Sequence, residues 1–330
     1  MTSAPVRLGI IGYGIMGERF LRAALAHDPA VLVVAGVWDP SAAAMTRLQA
    51  DLPQVVRIGS AAETIEACDC VYIASPPASH LGYARAAFAK GRAVFCEKPL
   101  AVDVADAESF VVEAAKSDAR AGINFPFASS FAVDQLRAWM KAGVTGPHDT
   151  PVQRIDIEIG FAHWPRPWQV DAAGWLDARA QGGFTREVVS HFLFLARRLF
   201  GPLQLQTHSV AYPDAGKSER SIAATLQAGS LPITLSGGVG VTDKPDHNLF
   251  RIIGPQGSIR LRDWSIAEQQ DRDGSWHEAA DALPNEKMRP LVLQRQLNKV
   301  AALTRRQAQD LATLSEAAEV QRIVETILKG

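Results

Sequence analysis

The 330-residue sequence has few cysteines, no dense basic block and no long apolar run. Its three cysteines, Cys68, Cys70 and Cys96, are odd in number and form no C-x-x-C pair. This pattern argues against both a disulfide framework and a zinc site. We expect the three thiols to pack as small buried hydrophobic groups, and we predict no metal site.

The charges are balanced, with 34 Lys and Arg against 35 Asp and Glu. Without a basic cluster the chain lacks the electrostatic footprint of a nucleic-acid or membrane-surface partner. No apolar run approaches the roughly 18 residues of a membrane-spanning helix. A strand-like run already begins at Val6, which leaves little room for a signal peptide. We therefore expect a cytoplasmic protein with neither nucleic acid nor membrane as a partner.

A glycine-rich turn joins a strand pattern to a helix pattern near the N-terminus. The apolar run Val6–Ile11 is followed by Gly12, Gly14 and Gly17, which complete G-x-G-x-x-G. Glycine there permits a tight turn, a close approach of backbone to pyrophosphate, and close packing of helix on strand. A second strand pattern ends at Asp39, 22 residues after Gly17, where an acid can bind a ribose 2′-hydroxyl. The pattern predicts a dinucleotide site.

Strand and helix patterns continue to alternate up to residue 123, which predicts a doubly wound parallel sheet in a domain of residues 1–123. From residue 124 the pattern changes to segments in which apolar and polar residues alternate, as in half-buried antiparallel strands. The length suits two domains of roughly 100 to 200 residues each. We predict a Rossmann domain followed by a second α/β domain, residues 124–330, built on an open, mainly antiparallel sheet.

One buried-strand pattern, Val94–Cys96, is followed at once by Glu97, Lys98 and Pro99. Parallel sheets hold their ligands at the carboxyl ends of their strands. Pro99 also restricts Lys98 to extended backbone, so its ammonium group leaves a restrained chain. Lys98 is therefore a candidate catalytic residue. The alternative is a solvated pair of charges before a helix.

In the second domain a Gly-Gly pair precedes a predicted helix over 184–200. Glu187 and His191 are four residues apart on that helix and share a face. An imidazole with an acid one turn away suits a general base with its orienting partner, although a lone helical histidine can equally be structural. The preceding loop, 162–183, is rich in tryptophan and includes Trp175. It is either a wall for a ring substrate or an ordinary crossover whose tryptophans pack on the domain.

These motifs, in this order, resemble the Gfo/Idh/MocA family of oxidoreductases. The resemblance is carried by GYGIMG, the terminal Asp39, SPPASH at 75–80, CEKPLA at 96–101 and the segment GGFTREVVSHFLF from residue 182. It implies a Rossmann domain joined to an α/β domain with an open antiparallel sheet. It also implies oxidation or reduction of sugars, cyclitols and related alcohols with NAD or NADP.

The chain departs from the family pattern at four positions, which concern substrate specificity rather than reaction type. Glu187 stands where the family generally has Asp, and Val189 replaces a small residue. Phe194 stands at the position of a frequent Asp, and Pro126 at that of a frequent Arg.

The predicted site follows from these motifs. The catalytic group is Lys98, Glu187 and His191. The cofactor contacts are Gly12, Tyr13, Gly14, Ile15, Met16, Gly17, Asp39, Ser75, Pro76, His80, Glu97 and Lys98. The substrate contacts are Lys98, Asn124, Trp175 and His191.

The predicted function is transfer of a hydride between NAD and a sugar-like alcohol or carbonyl. NADP is the less favoured cofactor, because Asp39 would repel a 2′-phosphate. Alternatives on the same scaffold are an NAD-dependent glycoside hydrolase and a non-catalytic NAD(P)-binding regulator, and the presence of Lys98 and His191 argues against the regulator. We expect a homo-dimer or homo-tetramer built through the second-domain sheet, with apolar strand positions available to a partner. Those positions are Ile222, Leu226, Ile233 and Leu235.

Overall fold

The computed structural model describes residues 4–147 and 152–330, which form two compact units. The first unit contains Met1–Ser129 and Pro290–Glu319, and the second contains Ser130–Arg289 and Val320–Gly330. This division differs from the expected contiguous second domain, 124–330, because the chain returns to the first unit near its C-terminus. The sequence over 143–151, which contains Gly and Pro, indicates a polar connection. The structure describes this connection as far as residue 147, and its remainder lies outside the described residues.

Five parallel strands form the sheet of the first unit, in the order β2-β1-β3-β4-β5. They are β1 (Val6–Ile11), β2 (Leu32–Trp38), β3 (Cys70–Ile73), β4 (Ala93–Cys96) and β5 (Ala121–Ile123). The sequence VVRI at 55–58 indicates a further short strand, which the structure reduces to one parallel bridge, Val37 with Arg57. Counting that bridge gives the strand order of a Rossmann sheet, 3-2-1-4-5-6, and the predicted fold class is confirmed.

Helices connect these strands, and a late helix completes the first core. They are α1 (Ile15–Leu25), α2 (Ala42–Asp51), α3 (Ala61–Ala67), α4 (His80–Ala89) and α5 (Val104–Ala115). Ser41 caps α2 as predicted, through Ala44 N–H. Ser79 does not cap α4, because its hydroxyl instead bonds the carbonyl of Pro76.

The returning segment belongs to the first unit because its apolar side chains lie in the core of that unit. Helix α9 spans Asn285–Thr304, and Leu297, Val300 and Leu303 pack in one buried cluster with the strands of the first sheet. Beyond α9 in the chain, the carbonyl of Ala312 accepts the N–H of Ile123, at the end of β5, at 2.8 Å. The helix predicted at the C-terminus follows as α10 (Leu314–Lys329).

Eight strands form the sheet of the second unit, in the order β13-β12-β11-β10-β6-β9-β8-β7. They are β6 (Arg154–Phe161), β7 (Leu203–Ala211), β8 (Ser221–Ala228), β9 (Leu231–Val239), β10 (His247–Ile253), β11 (Ser258–Arg262), β12 (Ile266–Gln270) and β13 (Trp276–Glu278). The pair β6 and β9 is parallel and the other pairs are antiparallel, which confirms a mainly antiparallel sheet. Helices α6 (Phe131–Lys141), α7 (Ala173–Leu176) and α8 (Ser190–Phe200) complete the unit, and α6 packs on β11 and β12.

The register of this sheet places its apolar residues on one face. Ile222, Leu226, Ile233 and Leu235 are all buried and align in adjacent strands, so they serve the core. The expectation that they also offer a partner apolar surface is therefore wrong. The opposite face carries a row of polar residues in register across seven strands. The row is Thr207, Thr225, Thr234, Asp156, Arg251, Arg260 and Glu268.

The three cysteines are buried, as expected for small hydrophobic groups. Burial raises the pKa of Cys68 to about 11 and that of Cys70 to about 12, which leaves both thiols protonated at neutral pH. Over residues 4–147 and 152–330, no helix has the length and apolar character needed to cross a membrane.

Candidate active site

The glycine turn of the first unit is shaped by backbone approaches that exclude side chains. Gly12 has φ +104°, and a Cβ there would lie 2.6 Å from the backbone of Ala74. A Cβ on Gly17 would lie 2.0 Å from the carbonyl oxygen of Gly12. At Gly14, by contrast, a Cβ would meet nothing within 4 Å, so this side of the turn is open. Helix α1 begins immediately after it without a side-chain cap, and the turn therefore fits an anionic pyrophosphate.

Asp39 at the end of β2 is bonded to this turn. One carboxylate oxygen accepts the N–H of Tyr13 at 2.7 Å, and the other accepts the N–H of Ser41 at 2.7 Å. Arg47 of α2 donates to the carbonyl of Tyr13 at 2.5 Å, and its guanidinium lies 5.0 Å from the centre of the Tyr13 ring. Arg47 was not predicted as a site residue, because it lies on α2, away from the end of β2.

His80 links the loops that follow β3 and β4. Its Nε2 is 2.8 Å from the carbonyl oxygen of Ser75, and its Nδ1 is 2.9 Å from that of Pro99. A neutral imidazole carries one N–H, so it can donate to only one of these carbonyls at a time. Burial lowers the pKa of His80, and the positive charge of Lys98 lowers it further. The imidazole of His80 therefore connects the loops that follow β3 and β4, which were both predicted to contact the cofactor. Its two ring nitrogens face backbone carbonyl groups.

Glu97 is buried at the end of β4, where it accepts hydrogen bonds from Tyr72 and from Asn124 Nδ2, the latter at 2.7 Å. The amide oxygen of Asn124 in turn accepts from Gln296 Nε2 at 2.6 Å. Burial and the neighbouring Glu97 raise the pKa of Tyr72. Glu97 and Asn124, predicted to contact cofactor and substrate, are therefore engaged in a network inside the unit. Lys98 follows in the bend after β4 and is partly exposed.

In the second unit the Gly-Gly pair meets a buried carboxylate. The Oε1 of Glu219 accepts the N–H of Thr185 at 2.7 Å. Gly183 has φ +101°, and a Cβ there would lie 2.2 Å from the Oε2 of Glu219. A Cβ on Gly182 would lie 2.4 Å from the carbonyl oxygen of Trp175. Both glycines are thus required by close contacts, and Glu219 holds the backbone that leads into the predicted catalytic helix.

The predicted helix over 184–200 begins as a π-helix, Thr185–Val189, and continues as α8. The N–H of Ser190 bonds the carbonyl of Thr185, five residues earlier. Arg186 secures this turn, because its guanidinium bonds Glu325 at 2.6 and 2.8 Å and the carbonyl of Gly182 at 2.7 Å. Glu187 therefore lies in the π turn and His191 in the α-helical part. Single π turns are frequent at functional sites.

His191 is 8% exposed, and its ring lies edge-on to Trp264, with the centroids 5.3 Å apart. Trp264 was not predicted as a site residue, because it lies in a hairpin far along the chain. Trp175, predicted to contact substrate, is 48% exposed on α7. Trp164 of the same loop packs against Phe161, with centroids 5.1 Å apart, as an ordinary core residue does.

Among the residues with described positions, none come together in a group of three or more His, Cys, Asp or Glu that could hold a metal ion. The three residues predicted as a catalytic group, Lys98, Glu187 and His191, carry side chains that can form hydrogen bonds and exchange protons. Lys98 belongs to the first unit, and Glu187 and His191 belong to the second.

We predict that Gly183→Ala destabilises the second unit more than Gly201→Ala. Both glycines have positive φ, +101° and +94°, but a Cβ on Gly201 meets nothing within 4 Å. Each variant carries a backbone cost of about 1–3 kcal/mol for a side chain at positive φ. Displacement of Glu219 should add about 1–3 kcal/mol to Gly183→Ala alone. Denaturant unfolding measures the difference, and equal losses of stability would contradict the role given to Glu219.

Comparisons with known proteins agree with this geometry. Residues 6–125 match the Gfo/Idh/MocA family, described as an oxidoreductase family with an NAD-binding Rossmann fold. YceM of Salmonella typhimurium, whose name describes it as an oxidoreductase, is 27% identical to this chain over 243 residues. The match covers 69% of this chain and 76% of YceM. Inositol 2-dehydrogenase of Acidothermus cellulolyticus is 33% identical over 149 residues, which span 44% of this chain and 43% of that protein.

A solved structure extends the similarity over nearly the whole chain. The crystal structure of an oxidoreductase from Thermotoga maritima superposes with a TM-score of 0.81 at 15% identity, covering 98% of this chain and 96% of that one. At this identity it shows a common fold. The family match and the named relatives confirm the resemblance and the expectation of an enzyme. Residues 6–125 are therefore similar to the NAD-binding Rossmann domain of the Gfo/Idh/MocA oxidoreductase family, and nearly the whole chain shares its fold with a solved oxidoreductase.

Proposed function

We propose that the protein transfers a hydride between NAD and the alcohol or carbonyl carbon of a sugar, cyclitol or related compound. The observation that carries the proposal is Lys98. It follows directly on the buried Glu97 network, at the carboxyl end of β4, and the glycine turn that fits a dinucleotide follows β1 at the same edge of the parallel sheet. The relative named inositol 2-dehydrogenase supports a cyclitol or similar polyol as the class of substrate.

The proton chemistry falls to the residues of this chain. A bound nicotinamide supplies the hydride acceptor or donor, so the protein has to hold the substrate carbon and move a proton at its oxygen. We assign His191 as the general base, because an imidazole titrates near neutral pH. Lys98 hydrogen-bonds and polarises the same oxygen. Glu187 orients one of these two groups or relays the proton, with a longer reach than the family's usual Asp.

We expect Lys98→Met and His191→Ala each to lower kcat by about 10²- to 10⁴-fold, the usual contribution of general acid-base catalysis. NAD binding, measured by calorimetry, should persist in both variants. The substrate is first found with a panel of sugars, cyclitols and sugar acids scored by NADH absorbance. Lys90→Met and His277→Ala, at exposed ion pairs, are the matched controls. Near wild-type turnover in both site variants would refute the assignment.

We expect tighter binding of NAD than of NADP, because the carboxylate of Asp39 accepts from a ribose hydroxyl but repels a 2′-phosphate. Asp39→Ala should narrow the difference in affinity. Arg47, held against Tyr13, is the nearby cation that could then attract the phosphate. We therefore compare Asp39→Ala alone with the double variant Asp39→Ala and Arg47→Ala. The comparison separates the loss of repulsion between carboxylate and 2′-phosphate from attraction of the phosphate by Arg47. NADP bound as tightly as NAD by the unmodified protein would contradict the expectation.

We also propose a homo-dimer or homo-tetramer that joins copies through the polar face of the second-unit sheet. The support is the exposed threonines Thr207, Thr225 and Thr234, which offer hydroxyl groups over three adjacent strands in register. Light scattering should give a mass above one chain of 35.6 kDa, and Ala223→Arg, an exposed change on this face, should lower it. A single-chain mass over a wide range of concentration would rule the assembly out.

A further inference from the structure

The hairpin between β11 and β12 turns through two consecutive residues in the left-handed region, Asp263 at φ +47° and Trp264 at φ +74°. The N–H of Ser265 bonds the carbonyl of Arg262 at 3.3 Å, which closes the turn. Turns with positive φ at both central residues favour Asn-Gly and Asp-Gly, because glycine adopts this backbone without strain. A tryptophan stands here at the glycine position, so the strained backbone requires an explanation.

The strained turn is hydrogen-bonded to the neighbouring strand β10. The N–H of Asp263 donates to the carbonyl of Asn248 at 2.9 Å. Its carboxylate accepts from the N–H of Asn248 at 3.1 Å and from His247 Nδ1 at 2.8 Å. These bonds determine the backbone on the N-terminal side of Trp264 and therefore the direction in which its ring leaves the hairpin.

The ring lies against α8 at the predicted base. Its centroid is 5.3 Å from that of His191, with planes 71° apart, and 5.3 Å from that of Phe192. Such edge-to-face pairs fix the relative orientation of two rings as well as burying area. Trp264 remains partly exposed, so core packing alone does not account for a large aromatic residue in a strained turn.

We propose that Trp264 is a positioning residue that orients the imidazole of His191 for proton transfer to or from the substrate oxygen. The proposal rests on the proposed function of His191. It places an aromatic group beside the candidate base on the β11–β12 hairpin, which is distant in sequence from α8. A misplaced catalytic group can cost on the order of 10²-fold in rate, so the orientation of one ring is a sufficient reason to keep the turn.

The test compares Trp264→Gly, Trp264→Phe and the control Trp276→Gly. Glycine suits the backbone of the turn, so Trp264→Gly removes the ring without adding strain. Trp276 is on the edge strand β13 of the same sheet and stacks on Arg260, 4.0 Å from its ring centre. We expect Trp264→Gly to lower kcat by about 10- to 100-fold with the KM for NAD within about twofold of wild type. Trp264→Phe should restore most of kcat, and Trp276→Gly should leave it unchanged.

A second readout does not depend on turnover. The imidazole resonances of His191, assigned in NMR spectra with His191→Ala, should carry a ring-current shift in the wild type, in Trp264→Phe and in Trp276→Gly. They should move towards those of the exposed His277 in Trp264→Gly. Unchanged His191 resonances together with unchanged kcat in Trp264→Gly would overturn the proposal. If His191→Ala itself keeps wild-type turnover, the assignment of His191 as the general base has failed, and the resonances still decide whether Trp264 positions the ring.

Discussion

The structure depends on buried carboxylates whose hydrogen bonds are made by the chain itself. Glu97 in the first unit accepts from Tyr72 and Asn124, and Glu219 in the second accepts from the backbone of Thr185. A carboxylate removed from water is tolerated only when donors replace its hydration. Loss of one donor would leave a buried acceptor unsatisfied, at a cost of about 1–3 kcal/mol or more. Each carboxylate therefore fixes the position of the backbone around it.

In both units this fixed backbone carries a candidate reactive residue. Lys98 is the neighbour of Glu97, and the π turn anchored by Glu219 leads into Glu187 and His191. Reactive groups must be held within about 0.5 Å of their working position by groups that do not themselves react. The division between anchoring carboxylates and reactive side chains satisfies that requirement with ordinary hydrogen bonds.

Much of the fold could be predicted because its signals are local. The strict alternation in β8 and the glycine turn before α1 each depend on a few adjacent residues. The strands β12 and β13 were not predicted, because they are short and polar and are ordered mainly by pairing with β11 and with each other. The strand expected over 55–58 is only a bridge at the sheet edge, since it has one neighbour to pair with. Helix α9 was not assigned to the first unit, because its weakly amphipathic sequence does not say which core it enters.

The candidate site divides in the same way. Lys98, Glu187 and His191 stand in recognisable motifs, whereas Glu219 and Trp264 act on partners distant in sequence.

The π turn shows how far a local pattern extends. In an α-helix four residues overshoot one turn by about 40°, since each residue rotates by about 100°. A π turn contains more residues per turn and rotates less at each, so it reduces this overshoot between Glu187 and His191. The backbone positions of Glu187 and His191 therefore stay near one face of the helix, although the spacing did not predict the π turn, and Glu219, through Thr185, holds that turn in place.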